Sequence, residues 1–165
     1  MANDPRGAGG TVTADIDGAI AADASIAVKW VVDEEFTHQA QALIDESVRF
    51  NKTIVIPPHF PGEVINAIYQ RTRTASLGRH LDPDEAAAAV STFLQYRLRV
   101  VTPPDLYHQA FLFARDHGLS SIYDSLYVVL AQLESVELWT ADRRLLNALG
   151  NAAPWVRFIG DYPLP

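Results

Sequence analysis

The chain has 165 residues, of which 48% are hydrophobic and 20% charged, a composition typical of one globular domain. Its formal net charge of −7 means that the overall field does not attract nucleic acid, so RNA would have to be bound by a local group of basic residues. The absence of cysteine excludes disulfide bonds, a thiolate zinc site and a cysteine nucleophile.

The sequence of the N-terminal region predicts neither a secondary-structure element nor a targeting signal. Residues 1–15 are rich in Gly, Asp and Thr without apolar periodicity, so we predict a flexible tail followed by one domain over 16–165. No cationic region leads into an apolar one, and the apolar run at 19–32 is interrupted by Asp23 and Lys29. We therefore expect a cytoplasmic protein without a membrane partner.

After the tail, short β-like runs alternate with longer helical patterns. Strands are predicted at 18–22, 53–56, 98–101, 136–140 and 156–159. Helices are predicted to start near Ser25, Thr37, Pro61, Pro83, Leu106, Ser121 and Arg143. This alternation is typical of an α/β domain with a largely parallel sheet.

The helix start at Pro83 has a structural explanation for its acids. Asp82 can cap the helix, Pro83 suits the first helical position, and Glu85 completes a capping box. These acids are therefore assigned to helix capping and not to chemistry.

Three other acids follow predicted strands. Asp23 and Asp142 each come directly after an apolar strand, and Glu63 falls in the first turn of the helix after the strand at 53–56. In a parallel sheet these positions share the carboxyl edge, where open α/β folds bind ligands. Each acid alone could simply cap a helix. Together, three carboxylates at one edge would repel each other and raise each other's pKa unless a cation neutralised them.

A fourth acid, Asp124, lies inside a helical segment that is apolar nearly all round, which predicts a buried helix. A buried carboxylate is costly unless it is paired, hydrogen-bonded or bound to a metal. An ion pair with Lys29 or with an arginine is the alternative to a metal at this position.

Each of these acids lies in a segment of recognisable composition: DASIAVKW at 23–30, PGEVINA at 61–67, YDSLYVVLA at 123–131 and WTADRRL at 139–145. In this order the segments resemble the four acidic motifs of the PIN domain, and the similarity extends from Gly18 to the C-terminus. Within that family, the segments look like those of the VapC-type toxins of prokaryotic toxin–antitoxin pairs.

The resemblance implies an α/β/α sandwich around a parallel sheet, with Mg²⁺ or Mn²⁺ at its carboxyl edge and hydrolysis of RNA phosphodiester bonds. Carried over by position, Asp23, Glu63, Asp124 and Asp142 form the acidic, metal-binding site. Ser25, Asn66 and Thr140 are candidate supporting residues, with capping or solvent exposure as the alternative for each. The implied partners are RNA, a cognate antitoxin and a second copy of the chain in a homodimer.

The chemistry agrees with these residue types. Mg²⁺ and Mn²⁺ prefer oxygen ligands, and phosphodiester hydrolysis needs an activated water and charge relief at the phosphate. Asp23 and Asp142 are expected to bind the principal ion, with Asp124 directly or through water, while Glu63 orients the attacking water or helps to hold a second ion. Candidate phosphate contacts, each with the alternative of an ordinary solvated helix end, are Lys29, Arg71, Arg73, Arg79, Arg143 and Arg144.

Competing functions are weaker. A phosphoacceptor receiver would need a late lysine, whereas the only lysines are Lys29 and Lys52, and an Asp-x-Asp phosphatase fails because Ser25 occupies the second position. Serine hydrolase, P-loop and dinucleotide fingerprints are absent from the sequence. The remaining alternative is a non-catalytic PIN-like module that binds a partner protein. An interface could use apolar and aromatic residues, for which the core is the alternative: Trp30, Phe36, Phe93, Tyr96, Phe111 and Phe113.

Overall fold

The fold comes from a computed structural model, which describes residues 18–74 and 79–165. The strands β1 to β5 are Ile20–Ala22, Ile54–Ile56, Arg99–Val100, Leu138–Thr140 and Val156–Phe158. The helices α1 to α7 are Ala24–Lys29, Thr37–Arg49, Phe60–Arg71, Pro83–Phe93, Leu106–His117, Ile122–Glu134 and Arg143–Leu149. A short 3-10 helix, Ile159–Asp161, follows β5. The predicted tail at 1–15 lies outside the described residues.

All five strands run parallel in one sheet with the order β3-β2-β1-β4-β5. Strand β1 is central, with Ile20 opposite Ile54 of β2 and Ala21 opposite Leu138 of β4. Parallel neighbours require crossover connections, which here are helical, and the helices cover both faces of the sheet. The predicted three-layer α/β/α sandwich is therefore confirmed.

The strands are shorter than the sequence pattern predicts. Strand β1 starts at Ile20 and not at 18, because Gly18 has a left-handed backbone with φ +92°, which cannot continue an extended strand. At the edge of the sheet, β3 contains only the exposed residues Arg99 and Val100. The predicted helix starts agree to within one residue, and the capping box at Asp82 is present, with Asp82 accepting from the backbone of Glu85.

The core lies between the sheet and its helices. Every residue of β2 is buried, as expected for an inner strand covered on both faces. Helix α6 is buried from Ser125 to Ala131 and packs against β1, β4 and α5. In the described parts of the chain, no helix is long and apolar enough to cross a membrane.

A buried ion triad joins helix α1 to helix α3. Glu34 accepts from Lys29 Nζ at 2.7 Å and from Arg71 Nη2 at 2.8 Å, and Arg71 also donates to the carbonyl of Ala67 at 2.8 Å. The three charged side chains are only 9–13% exposed. Glu34 is the charged partner of both cations, so the two ion pairs of the triad depend on this one residue.

We predict that Glu34→Gln destabilises the protein by about 3 kcal/mol, because two buried cations would then share no counter-charge. Urea unfolding measures the loss. The matched control is Glu137→Gln, which removes the exposed partner of Arg157 and should cost less than about 1 kcal/mol. Equal losses in the two variants would show that the triad does not depend on Glu34.

Candidate active site

Three adjacent parallel strands bring acids to one edge of the sheet. Asp23 follows β1, Asp142 lies two residues beyond the end of β4, and Glu63 lies in the first turn of α3, the helix after β2. From β1, the chain adds β2 and β3 on one side of the sheet and then β4 and β5 on the other side. The direction of strand addition therefore reverses between β1 and β4. Such a reversal at the carboxyl edge is where open α/β sheets form ligand clefts.

Asp23 is the most enclosed of the acids, with only 6% of its surface exposed. It caps helix α1, and its Oδ1 accepts from Ser25 Oγ at 2.5 Å and from the Ile26 backbone at 3.3 Å. Burial raises the pKa of this carboxyl to about 6. That pKa of about 6 already includes a lowering effect of hydrogen bonds from Ser25, Thr140 and Ile26 and a smaller raising effect of the charge of Asp142.

Two hydroxyl groups connect the ends of β1 and β4. Ser25 donates to Asp23 and accepts from the backbone N–H of Ala141 at 2.8 Å. Thr140, which is fully buried, hydrogen-bonds Asp23 and accepts from the backbone N–H of Asp142 at 2.9 Å. These bonds hold the two aspartates in a fixed relation to each other.

Asp142 caps helix α7, which is the role that the sequence offered as the alternative to ligand binding. Its Oδ1 accepts from the backbone of Arg144 at 2.8 Å and of Leu145 at 3.2 Å. Both bonds end on the same oxygen, and a third of the side chain is exposed. Capping and ligand binding are therefore compatible at this residue, because capping engages one carboxylate oxygen.

Asp124 lies in the first turn of α6 and is half-buried. Burial raises the pKa of its carboxyl, and so do the charges of Asp142 and Glu63, against a smaller lowering effect of Arg144. The predicted burial of the whole segment is wrong at its start, because Ile122 and Tyr123 are 39% and 52% exposed at the open end of the helix. The alternative ion pair with Lys29 is not formed, since Lys29 binds Glu34.

Two further residues beside Glu63, Tyr127 and His59, were not predicted from the sequence. The Tyr127 hydroxyl donates to Glu63 Oε2 at 2.5 Å, and its pKa is raised far above the ordinary value by burial and then by the charge of Glu63. Tyr127 therefore stays a proton donor. Its position three residues after Asp124 was the available signal, because residues at i and i+3 share a helix face.

His59 approaches the same carboxylate from the start of α3. Its Nε2 lies 3.5 Å from Glu63 Oε2, and this buried atom has no hydrogen-bond partner among the described residues. Burial lowers the pKa of His59, and the charge of Glu63 opposes that change. The spacing of four residues from Glu63 was the corresponding sequence signal. By contrast, the predicted supporting residue Asn66 is exposed, and no hydrogen bond in the described parts joins it to an acid.

The donor atoms suit a hard divalent cation, since all four acids offer oxygen and two of them have a raised pKa that a cation would relieve. Their arrangement is looser than a metal cage. Over 18–74 and 79–165, no three acidic or histidine side chains form a group that could hold one ion. Each of three acids instead has its own hydrogen-bond partner: Ser25 for Asp23, the α7 backbone for Asp142, and Tyr127 for Glu63.

We predict that Asp23→Asn makes the metal-free protein more stable at pH 8. The folded carboxyl has a pKa of about 6, above the ordinary 3.8, so the folded state binds more protons than the unfolded state between these values and stability falls as pH rises through this window. Asparagine caps equally well and removes the charge, so the expected gain is roughly 3 kcal/mol at pH 8, shrinking towards zero near pH 4.

Urea unfolding in EDTA at several pH values measures this difference. The control is the same substitution at the exposed Asp33, which should change stability by less than about 0.5 kcal/mol at every pH. A gain for Asp23→Asn that does not vary with pH would contradict the assigned pKa.

Comparison with solved structures identifies similar folds. A structure titled PAE2754 from Pyrobaculum aerophilum superimposes with a TM-score of 0.61 and 22% identity, over 86% of this chain and 90% of that chain. FitAcB from Neisseria gonorrhoeae gives a TM-score of 0.50 at 14% identity, over 78% of this chain and 91% of that chain. At these identities the likeness concerns the fold alone. Among curated proteins, no sequence is significantly similar.

Sequence comparison with family models gives a more specific result. The PIN domain model matches residues 20–150, which include all four motifs. The match extends over most of the chain, from the first strand of the sheet to the end of helix α7. The protein therefore belongs to the PIN domain family.

Proposed function

We propose that the protein is a metal-dependent endoribonuclease that uses Mg²⁺ or Mn²⁺. PIN domains are generally nucleases, which supports phosphodiester hydrolysis as the reaction class. In this proposal Asp23 and Asp142 bind the principal ion, Asp124 contributes directly or through water, and Glu63 orients the attacking water or helps to hold a second ion.

The observation that supports this proposal best is the electrostatic coupling between the acids. Asp142 raises the pKa of Asp23, and Asp142 and Glu63 both raise the pKa of Asp124. Three pairwise repulsions thus connect the four carboxylates in the folded protein, which is unfavourable in itself. A divalent cation at the same edge would convert this repulsion into attraction.

A bound divalent cation would supply charge relief at the phosphate oxygens and the lowered pKa that makes water a nucleophile at neutral pH. The protein's own groups provide the geometry. Ser25 and Thr140 orient the Asp23 carboxylate, and Tyr127 fixes that of Glu63. In hydrolysis, the water oxygen bonds to phosphorus, the bond from phosphorus to one ribose oxygen breaks, and that oxygen leaves with a proton.

We further propose that the enzyme is the toxin of a toxin–antitoxin pair, acts on cytoplasmic RNA and forms a homodimer. The support is the similarity of its four motifs to VapC-type toxins. Of the aromatic residues considered for an interface, Trp30 and Phe93 are buried in the core, whereas Phe111 is 55% exposed. Exposed apolar residues on α5 and at the start of α6 provide a surface that a protein partner could cover: Tyr107, Phe111, Ile122 and Tyr123.

The rival function is a PIN-like module that binds a partner protein without catalysis. The observation in its favour is that no three acidic or histidine groups in the described parts converge on one point. A module of this kind would need neither metal nor turnover, so activity in the presence of metal separates the two functions.

We predict that the purified protein cleaves a pool of structured RNAs in the presence of Mg²⁺ or Mn²⁺ and that EDTA abolishes cleavage. Asp124→Asn should reduce the rate by at least about a hundredfold, because it removes one charge from the acidic site while keeping its shape. Gel analysis of the RNA measures the rate. The matched control is Asp116→Asn, an exposed aspartate at the end of α5, which should leave cleavage unchanged.

The outcomes separate the hypotheses. Metal-dependent cleavage that Asp124→Asn abolishes would establish the nuclease. Absence of cleavage together with absence of metal binding by calorimetry would favour the binding module. Calorimetric metal binding that Asp124→Asn weakens would support the site even if the RNA pool lacked a substrate.

A further inference from the structure

A cleft of about 520 Å³ opens beside the acidic edge. Of the four acids, only Asp142 lines it. Its lining includes Ser25 and Asp142, so it adjoins the ends of β1 and β4. Its walls carry four cations in a protein whose formal net charge is −7: Lys29, Arg71, Arg143 and Arg144. The carboxylates of the cleft are Asp142 together with Glu34 and Glu35.

The cations on the inner wall are fixed by the buried triad. Glu34 binds both Lys29 and Arg71, so this part of the cleft holds two cations and one anion in a rigid arrangement. The triad therefore leaves a local positive charge next to the acids. With Glu35 and Asp142 included, the cleft has four cations against three carboxylates, a formal charge of +1 in a chain whose formal net charge is −7.

Arg143 is held at the mouth of the cleft by aromatic rings. Its guanidinium lies 4.3 Å from the ring centre of Phe158 and 5.7 Å from that of Phe36. The two rings meet edge to face at 5.1 Å. No ion pair of the described residues includes Arg143, and a guanidinium stacked on a ring keeps its N–H groups directed outwards for a ligand.

The backbone around these rings is specialised. A Cβ at Gly160 would lie 2.3 Å from Cε1 of Phe158, so only glycine allows the ring to lie where it supports Arg143. Phe36 has a left-handed backbone with φ +66°, which is unfavourable for a bulky residue. Strain of this kind concentrates at functional sites.

We propose that this cleft binds the phosphodiester backbone of a single RNA strand next to the acidic site, and that Arg143, held by Phe158 and Phe36, is a phosphate-binding residue in it. This inference rests on the proposed nuclease function and adds the path of the substrate. Phosphate contacts of this type fix the position of a strand without reading its bases. The cleft therefore holds the strand in register while the acids act on one phosphate.

The test measures binding separately from cleavage. A short unstructured RNA labelled with fluorescein is titrated with protein in Mg²⁺ at several KCl concentrations, and anisotropy gives the Kd. Every protein carries Asp124→Asn so that the probe stays intact, which a gel verifies. In this background, the variants are Arg143→Gln, Phe158→Leu and the charge-matched control Arg115→Gln, whose residue is exposed on α5 and pairs with Asp116.

Arg143→Gln should raise the Kd roughly three- to tenfold and reduce the slope of log Kd against log salt by about 0.7, the value for one lost contact to a single strand. Phe158→Leu should raise the Kd by a smaller factor and leave the slope unchanged. The Arg143 charge remains in this variant, but the guanidinium no longer stacks on the Phe158 ring. Arg115→Gln should change neither quantity.

Arg143→Gln behaving like Arg115→Gln, or the parent protein binding no RNA, would overturn the proposal. Phe158→Leu without effect would overturn the role given to the rings. A protein that binds RNA through Arg143 but cleaves none in the earlier assay would retain the cleft and lose the nuclease, so the two failures are distinguishable.

Discussion

The parallel alignment of β2, β1 and β4 is the constraint on which the rest of the site depends. Because the three strands are neighbours and point the same way, the residues that follow them meet at one edge of the sheet. Asp23 and Asp142 are thereby brought within reach of each other's charge, and Asp124 on helix α6 lies within reach of the charges of Asp142 and Glu63. A site assembled in this way stores electrostatic repulsion in the folded state, which a cation can relieve.

Hydrogen bonds to the carboxylates fix their orientation in spite of this repulsion. Ser25 and Thr140 offset part of the cost of burying Asp23, and the Tyr127 hydroxyl donates a hydrogen bond to Glu63. The donors lie on three different elements: Ser25 on α1, Thr140 on β4 and Tyr127 on α6. The acids are therefore oriented individually, which keeps them from collapsing together or turning away from the edge.

The charge of the protein is unevenly distributed. The chain as a whole is acidic, whereas the cleft beside the acids carries four cations. Glu34 holds Lys29 and Arg71, aromatic rings hold Arg143, and Arg144 lies 3.9 Å from Asp142. Rigid cations cost little reorganisation when they meet a phosphate, so a few of them can replace a strongly basic surface. This uneven distribution is what makes the proposed phosphate-binding cleft compatible with a chain that is acidic as a whole.

The sequence alone determined the order of strands and helices, the capping box at Asp82 and the four acids, because hydrophobic periodicity, caps and motifs are local properties of the chain. Only the tertiary structure decided which groups meet: Tyr127 with Glu63 across 64 positions, Lys29 with Glu34 and Arg71 instead of with Asp124, and Arg143 on Phe158. The exposure of Ile122 and Tyr123 likewise depends on where α6 begins relative to the sheet. Contacts of this kind arise from packing between distant segments, which no local pattern encodes.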